Sequence, residues 1–179
     1  METRVTTHKN SYKVYNLDVF WDDEFKNLDY VREPFNDSKD VQQWIAQGYQ
    51  PKICGDMADM RGTQPSWNDR FIKHFESLGW QDVGTSYYRM TSGTVMPVHQ
   101  DRYVKYIQLF NLHGRETLIR RALVLLEDWQ SGHYFEVEGE PIVKWRAGTV
   151  IEWCYDTPHM AANIGLRDRY TLQITGHMS

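Results

Sequence analysis

The chain has 179 residues, of which 41% are hydrophobic and 25% charged, and its net charge is −4. It is long and apolar enough to bury a core, which excludes a disordered chain, and its mild acidity leaves no electrostatic footprint for nucleic acid or an anionic membrane. The segment from Met1 to His8 lacks the apolar run of a signal peptide and no stretch is long enough to span a bilayer, so a soluble, cytoplasmic protein with no membrane partner is expected.

Nothing in composition or repeats divides the chain, and a single domain over 1–179 is expected, with helical support and N-terminal strands in 1–83 and a β core in 84–179. Phe20 to Phe25 can begin a helix. Asp37 to Gly48 offers a cap, a short periodic stretch and a terminating glycine. A second helix is predicted from about Trp67 to Leu78, where Ser66 and Asp69 form a start resembling a capping box and Gly79 a stop. From Gly84 onward the signals change to short strands between turns. The expected strands are 85–91, 94–101, 103–110, 121–127, 133–137, 142–145, 149–153, 159–163 and 169–175, punctuated by glycine-containing breaks. So many short, evenly broken strands predict a sandwich or barrel of the jelly-roll type, with the two helices bracing one sheet. Most of the seven Trp, eleven Tyr and seven Phe are expected on sheet faces and in the core. Cys54 and Cys154 have neither C-x-x-C nor zinc-finger spacing and read as reduced, packed thiols.

The chemistry is concentrated in His99-Gln100-Asp101, in His159, which lies 58 residues beyond Asp101, and in Arg169, ten residues beyond His159. Two imidazoles and a carboxylate can occupy one face of an octahedral iron(II) and leave positions open for a co-substrate and O₂. The H-x-D pair by itself is weak. With seven histidines and 24 acidic residues, roughly one H-x-[DE] is expected by chance. His74-Phe75-Glu76 is a second instance, but it falls in a predicted helix, where residues i and i+2 point to different sides. On an extended segment i and i+2 share a face, so His99 and Asp101 can act together. Pro158 delivers His159 from a loop onto a strand. Arg169 shares a strand face with Thr171, so a guanidinium and a hydroxyl can converge on one carboxylate; Arg167 is the competing arginine.

With these residues in place, the sequence from roughly Tyr87 to Gly176 resembles the 2-oxoglutarate and iron(II)-dependent dioxygenases. The likeness rests on Gly93 six residues before His99, His99 and Asp101, Gly132, Ala147-Gly148 before a strand, His159, and Arg169-Tyr170-Thr171. It is similar to the prolyl-4-hydroxylase-like and phytanoyl-hydroxylase-like members. The resemblance implies a mostly β fold with added helices, a double-stranded β-helix (jelly-roll, cupin-like) core braced by N-terminal helices. It also implies that His99, Asp101 and His159 bind Fe(II), and that Arg169 with Thr171 binds the distal carboxylate of 2-oxoglutarate. The reaction implied consumes O₂, releases succinate and CO₂, and hydroxylates a small-molecule, amino-acid or peptide substrate; a carboxylate at Asp101 favours hydroxylation over halogenation. The chain departs from prolyl hydroxylases at Met90, where they carry a tyrosine, and at His133, where a second glycine would stand. Tyr88, two positions before Met90 on the same strand face, is the candidate to complete the co-substrate pocket.

Two other classes fit parts of the pattern. A cupin-type metalloenzyme working without 2-oxoglutarate would use further histidines, for which His113 and His133 are candidates, and would not need Arg169. A non-catalytic jelly-roll binding module would use the aromatics to hold a sugar or a protein. A serine hydrolase is dismissed, since no G-x-S-x-G occurs.

Overall fold

The computed structural model describes residues 12–32, 39–49 and 52–179. Twelve strands and three α-helices are described, and the strands form two sheets. In chain order they begin with β1 (Tyr12–Asn16), a 3-10 turn (Asp23–Asn27), β2 (Tyr30–Arg32), α1 (Lys39–Ala46), β3 (Lys52–Ile53), β4 (Asp56–Ala58) and α2 (Asn68–Ser77). The β-rich part follows with β5 (Gln81–Met90), β6 (Thr94–His99), α3 (Val104–Leu109), β7 (Ile119–Leu125), β8 (His133–Val137) and β9 (Glu140–Ile142). It ends with β10 (Thr149–Cys154), β11 (His159–Asn163) and β12 (Arg169–His177).

The larger sheet has the order β1-β10-β7-β12-β5-β4-β2 and the smaller β3-β6-β11-β8-β9, so consecutive strands alternate between sheets from β5 to β8 and again from β9 to β12, as in a jelly roll. Side-chain alternation divides the core in two. One face of the larger sheet, with Tyr87, Ala122, Val124, Val150, Leu172 and Ile174, packs on Phe71 and Phe75 of α2 and on Trp21 and Phe25. The hydroxyl of buried Tyr87 donates to Asn68 Oδ1 at 2.8 Å, pinning the start of α2 to β5. The opposite face, with Met90, Leu123, Leu125, Ile151 and Trp153, meets Phe135, Val137 and Ala161 of the smaller sheet. This inter-sheet layer is where the candidate site lies.

The helices do not brace one sheet together. Whereas α2 covers the larger sheet, α1 sets Val41 and Trp44 against Cys54, Ile53 and Met96 at the β3–β6 edge of the smaller one. The Asp37-Ser38 cap expected for α1 lies outside the described residues. Ser66 does not cap α2: its backbone N–H and hydroxyl both donate to Glu24, at 2.6 Å each, and the Trp67 cap position has no side-chain bond. Phe20–Phe25 leads into a 3-10 turn capped by Asp22, not an α-helix.

Segment 103–110, expected as a strand, is the helix α3. Tyr103 enters it at φ 49°, and the Tyr106 and Phe110 rings pack at i, i+4, tilted at 55° with centroids 4.7 Å apart. Two glycines of the family-like pattern have steric reasons. Gly132 (φ 92°) abuts the Gly165 backbone so closely that a Cβ would collide with it, and at Gly148 (φ 90°) a Cβ would strike the carbonyl of Leu17.

Candidate metal centre

Strand pairing brings the two histidines together. In the β6–β11 ladder His159 is directly opposite His99, and the ring centroids are 4.3 Å apart. Each ring is oriented by its own backbone: His99 Nδ1 lies 2.8 Å from the Pro97 carbonyl oxygen and His159 Nδ1 lies 2.9 Å from that of Thr157. A carbonyl only accepts, so Nδ1 carries the proton and the lone pair of each neutral ring is on Nε2. Those two nitrogens face Asp101, with His99 Nε2 3.8 Å from Oδ1 and His159 Nε2 4.0 Å from Oδ2. One donor atom from each of the three residues lies within 4.8 Å of the others, and this is the one such group of three among the described residues.

Asp101 arrives differently from the way the sequence suggests. The strand β6 ends at His99, and the carboxylate is presented from the following loop, not from a shared strand face. Arg121 of β7 holds it across the gap between sheets, with Nε 3.1 Å and Nη2 3.0 Å from Oδ2. Burial works to raise the Asp101 pKa, but Arg121, with smaller help from His159 and His99, outweighs it and holds the carboxyl at about 2. Burial pushes His159 down to about 4 against the pull of Asp101. Near neutral pH these two groups are therefore in the forms that bind a cation, carboxylate and neutral imidazole.

Arg169 is placed by the β12–β5 and β12–β7 ladders. Its register partner is Met90, that of Thr171 is Tyr88 and that of Gln173 is Ser86. Arg169, Thr171, Gln173, Tyr88, His99 and His159 line one cavity between the sheets. Arg169 is 3% exposed, and burial lowers its pKa to about 10, which leaves it a cation at neutral pH. Its Nη1 reaches only the Met90 sulfur, at 3.0 Å, while Nε and Nη2 have no hydrogen-bond partner among the described residues. A buried guanidinium in that state lacks an anion.

No protein-family model matches the chain, and no curated protein matches it in sequence. Solved structures do resemble it. A prolyl-4-hydroxylase from Pseudomonas putida superposes with a TM-score of 0.53 at 16% identity, the match covering 78% of this chain and 83% of that one. The chain shares that protein's fold. Weaker likenesses are to the non-heme alpha-ketoglutarate-dependent carbocyclase SnoK from nogalamycin biosynthesis and to a 2OG-Fe(II) oxygenase family oxidoreductase from Burkholderia pseudomallei. The first has a TM-score of 0.49 at 15% identity, over 86% of this chain and 81% of that one. The second has 0.40 at 14%, over 98% and 72%.

The remaining candidates sort by position. Tyr88 lines the buried cavity and also an open groove of about 530 Å³ beside it, with Tyr103, Lys105, Tyr106 and Arg121. His133 stands apart from the group of three: its Nε2 contacts the Arg167 carbonyl at 3.0 Å and its ring stacks on Trp145. His113 is exposed in the turn after α3. Arg167 is exposed and contributes its carbonyl to His133 and Asn163. Both cysteines are free thiols. No helix among the described residues is long and apolar enough to cross a membrane. Sequence reasoning missed Arg121 altogether, because nothing local marks an arginine whose partner belongs to another sheet. Trp153, which could line the cavity if its strand alternates inward, does so, with its ring 4.8 Å from His159 and its buried Nε1 unpartnered among the described residues.

Proposed function

We propose that the protein is an Fe(II)- and 2-oxoglutarate-dependent dioxygenase that hydroxylates a small-molecule, amino-acid or peptide substrate. One observation carries the choice: the buried guanidinium of Arg169, whose Nε and Nη2 have no acceptor among the described residues, lines the same cavity as two imidazole donors. A metal centre that needed no anionic co-substrate would have no use for that charge.

The donor set suits iron(II), being two imidazoles and a carboxylate whose donor atoms lie within 4.8 Å of one another. His99 Nε2 and His159 Nε2, at 3.8 and 4.0 Å from the Asp101 oxygens, would hold the ion together with that carboxylate. Iron(II) with bound 2-oxoglutarate supplies O₂ activation, coupled to release of succinate and CO₂. The chain supplies the rest. His99, Asp101 and His159 hold the ion. Arg169 and the Thr171 hydroxyl take the distal carboxylate through charge-assisted hydrogen bonds, and Tyr88 bounds that pocket. Phe135, Trp153, Leu123 and Met96 give the cavity apolar walls that exclude water from the reacting centre. Substrate enters by the groove of about 530 Å³, which reaches His99 and Asp101 from the side of α3.

Anaerobic titration with Fe(II) and then 2-oxoglutarate tests the reading. A visible charge-transfer band is expected from the chelated complex, strongly weakened in Arg169→Ala and absent in His159→Ala. Iron binding without a band would replace this reading with a cupin-type metalloenzyme, and no iron binding would leave a jelly-roll binding module.

A further inference from the structure

We propose that Arg121 is a positioning residue for the metal centre: it clamps Oδ2 of Asp101 and thereby fixes the carboxylate with Oδ1 turned to the ion. The inference rests on the metal-binding reading above. It starts from an asymmetry among the three donors. His99 and His159 are each oriented by a carbonyl two residues earlier in their own strand or turn. Asp101 lies past the end of β6, so no ladder orients it. Its orientation comes from the larger sheet, through Arg121, whose Nε N–H donates to Oδ2 at 3.1 Å and whose Nη2 makes an ion pair with the same oxygen at 3.0 Å. Oδ1, outside the guanidinium contact, faces His99 Nε2 at 3.8 Å, while the held Oδ2 also lies 4.0 Å from His159 Nε2.

The guanidinium is itself held. Arg121 pairs in register with Trp153 on one side and Thr175 on the other, and its charged carbon lies 5.0 Å over the Tyr103 ring. Tyr103 is two residues beyond Asp101, so one arginine fixes both ends of the turn that presents the carboxylate. A carboxylate free to rotate can chelate an ion with both oxygens. One whose second oxygen is engaged by a guanidinium would offer an ion mainly its other oxygen.

A structural or merely charge-balancing salt bridge predicts a different sign. A cation beside the carboxylate weakens the attraction of Asp101 for a metal ion, so if balancing charge were its whole effect, removing Arg121 would tighten metal binding. If its effect is to position the ligand, removal loosens the site, and losses from such outer partners are roughly 10–100-fold in affinity. The two readings separate in a calorimetric titration of the full chain with Mn(II), an air-stable probe, together with the electron paramagnetic resonance spectrum of the bound ion. Arg121→Gln is expected to bind Mn(II) roughly 10–100-fold more weakly and to give an altered spectrum. Arg121→Lys keeps the charge without the planar guanidinium and its Nε N–H and should recover only part of the affinity; it also serves if the glutamine variant does not fold. Unchanged or tighter binding with an unchanged spectrum in a folded variant overturns the proposal while leaving the metal site standing. Failure of the unsubstituted chain to bind Mn(II) or Fe(II) overturns both.

Discussion

A guanidinium that is 3% exposed and has two nitrogens without acceptors among the described residues is a cost to the fold that the proposed co-substrate carboxylate would offset. Replacing Arg169 by methionine removes that charge and keeps much of the volume beside Met90, so the ligand-free protein should become more stable. A gain of about 1–3 kcal/mol corresponds in a chain of this size to a melting temperature several degrees higher. Adding Mn(II) with 2-oxoglutarate should then raise the melting temperature of the unsubstituted protein and not that of Arg169→Met. A variant less stable than the parent would mean that Arg169 has a structural partner, and would remove the main reason for assigning it to an anion. The pair Arg169 and Thr171 was legible in the sequence because strand parity is a local rule: residues i and i+2 share a face, and both do line the cavity. His159 was legible for a similar reason, since Pro158 announces the strand that begins there. What no local rule provides is the rung that sets His159 against His99, or the reach of Arg121 across to Asp101.

Among elements, legibility followed length. The predicted strand 159–163 coincides with β11, and 85–91 and 169–175 fall within one or two residues of, or inside, longer strands. The strands β2, β3 and β4 have three residues or fewer, too short to show any period, and none was foreseen individually. Segment 103–110 failed for a different reason. Tyr-Val-Lys-Tyr-Ile-Gln-Leu-Phe is rich in β-branched and aromatic residues, and a short apolar run reads equally as strand or helix. The tertiary context decides it, with Ile107 buried against Leu112 and Ile119. The turns, by contrast, were marked by glycines that the fold depends on. Gly132 and Gly165 join the loop before β8 to the loop after β11 backbone against backbone, and Ile164 N–H donates to the Gly132 carbonyl at 2.9 Å. Gly132→Ala combines a left-handed φ with a collision against main chain, so it should cost a few kcal/mol. The expected result is a clear fall in the urea midpoint with unchanged slope. A loss of less than about 0.5 kcal/mol, the usual range of a surface change, would show that the two loops separate easily.

For the whole molecule, the acid side of the stability curve should record the buried His159 and Asp101 of the candidate metal centre. His159 has a folded pKa of about 4 against an ordinary 6.5, so between those values the unfolded chain takes up a proton that the folded chain lacks. Stability therefore falls as pH drops from 6.5 to 4, by up to about 3 kcal/mol for a shift of this size. Asp101, held at about 2 against 3.8, adds a second loss below pH 3.8 for the same reason. Metal binding opposes both, because an ion competes with protons for the same lone pairs. Bound Mn(II) at about 100 times its dissociation constant stabilises by about 2.7 kcal/mol, and that increment should shrink as His159 begins to protonate in acid. Melting curves at pH 7, 5.5 and 4.5, with and without Mn(II), read both effects. In His159→Ala the Mn(II) increment should vanish at every pH and the slope between pH 6.5 and 4 should flatten. A slope unchanged in that variant would place the acid sensitivity elsewhere in the fold, and an increment that survived it would exclude His159 as a ligand.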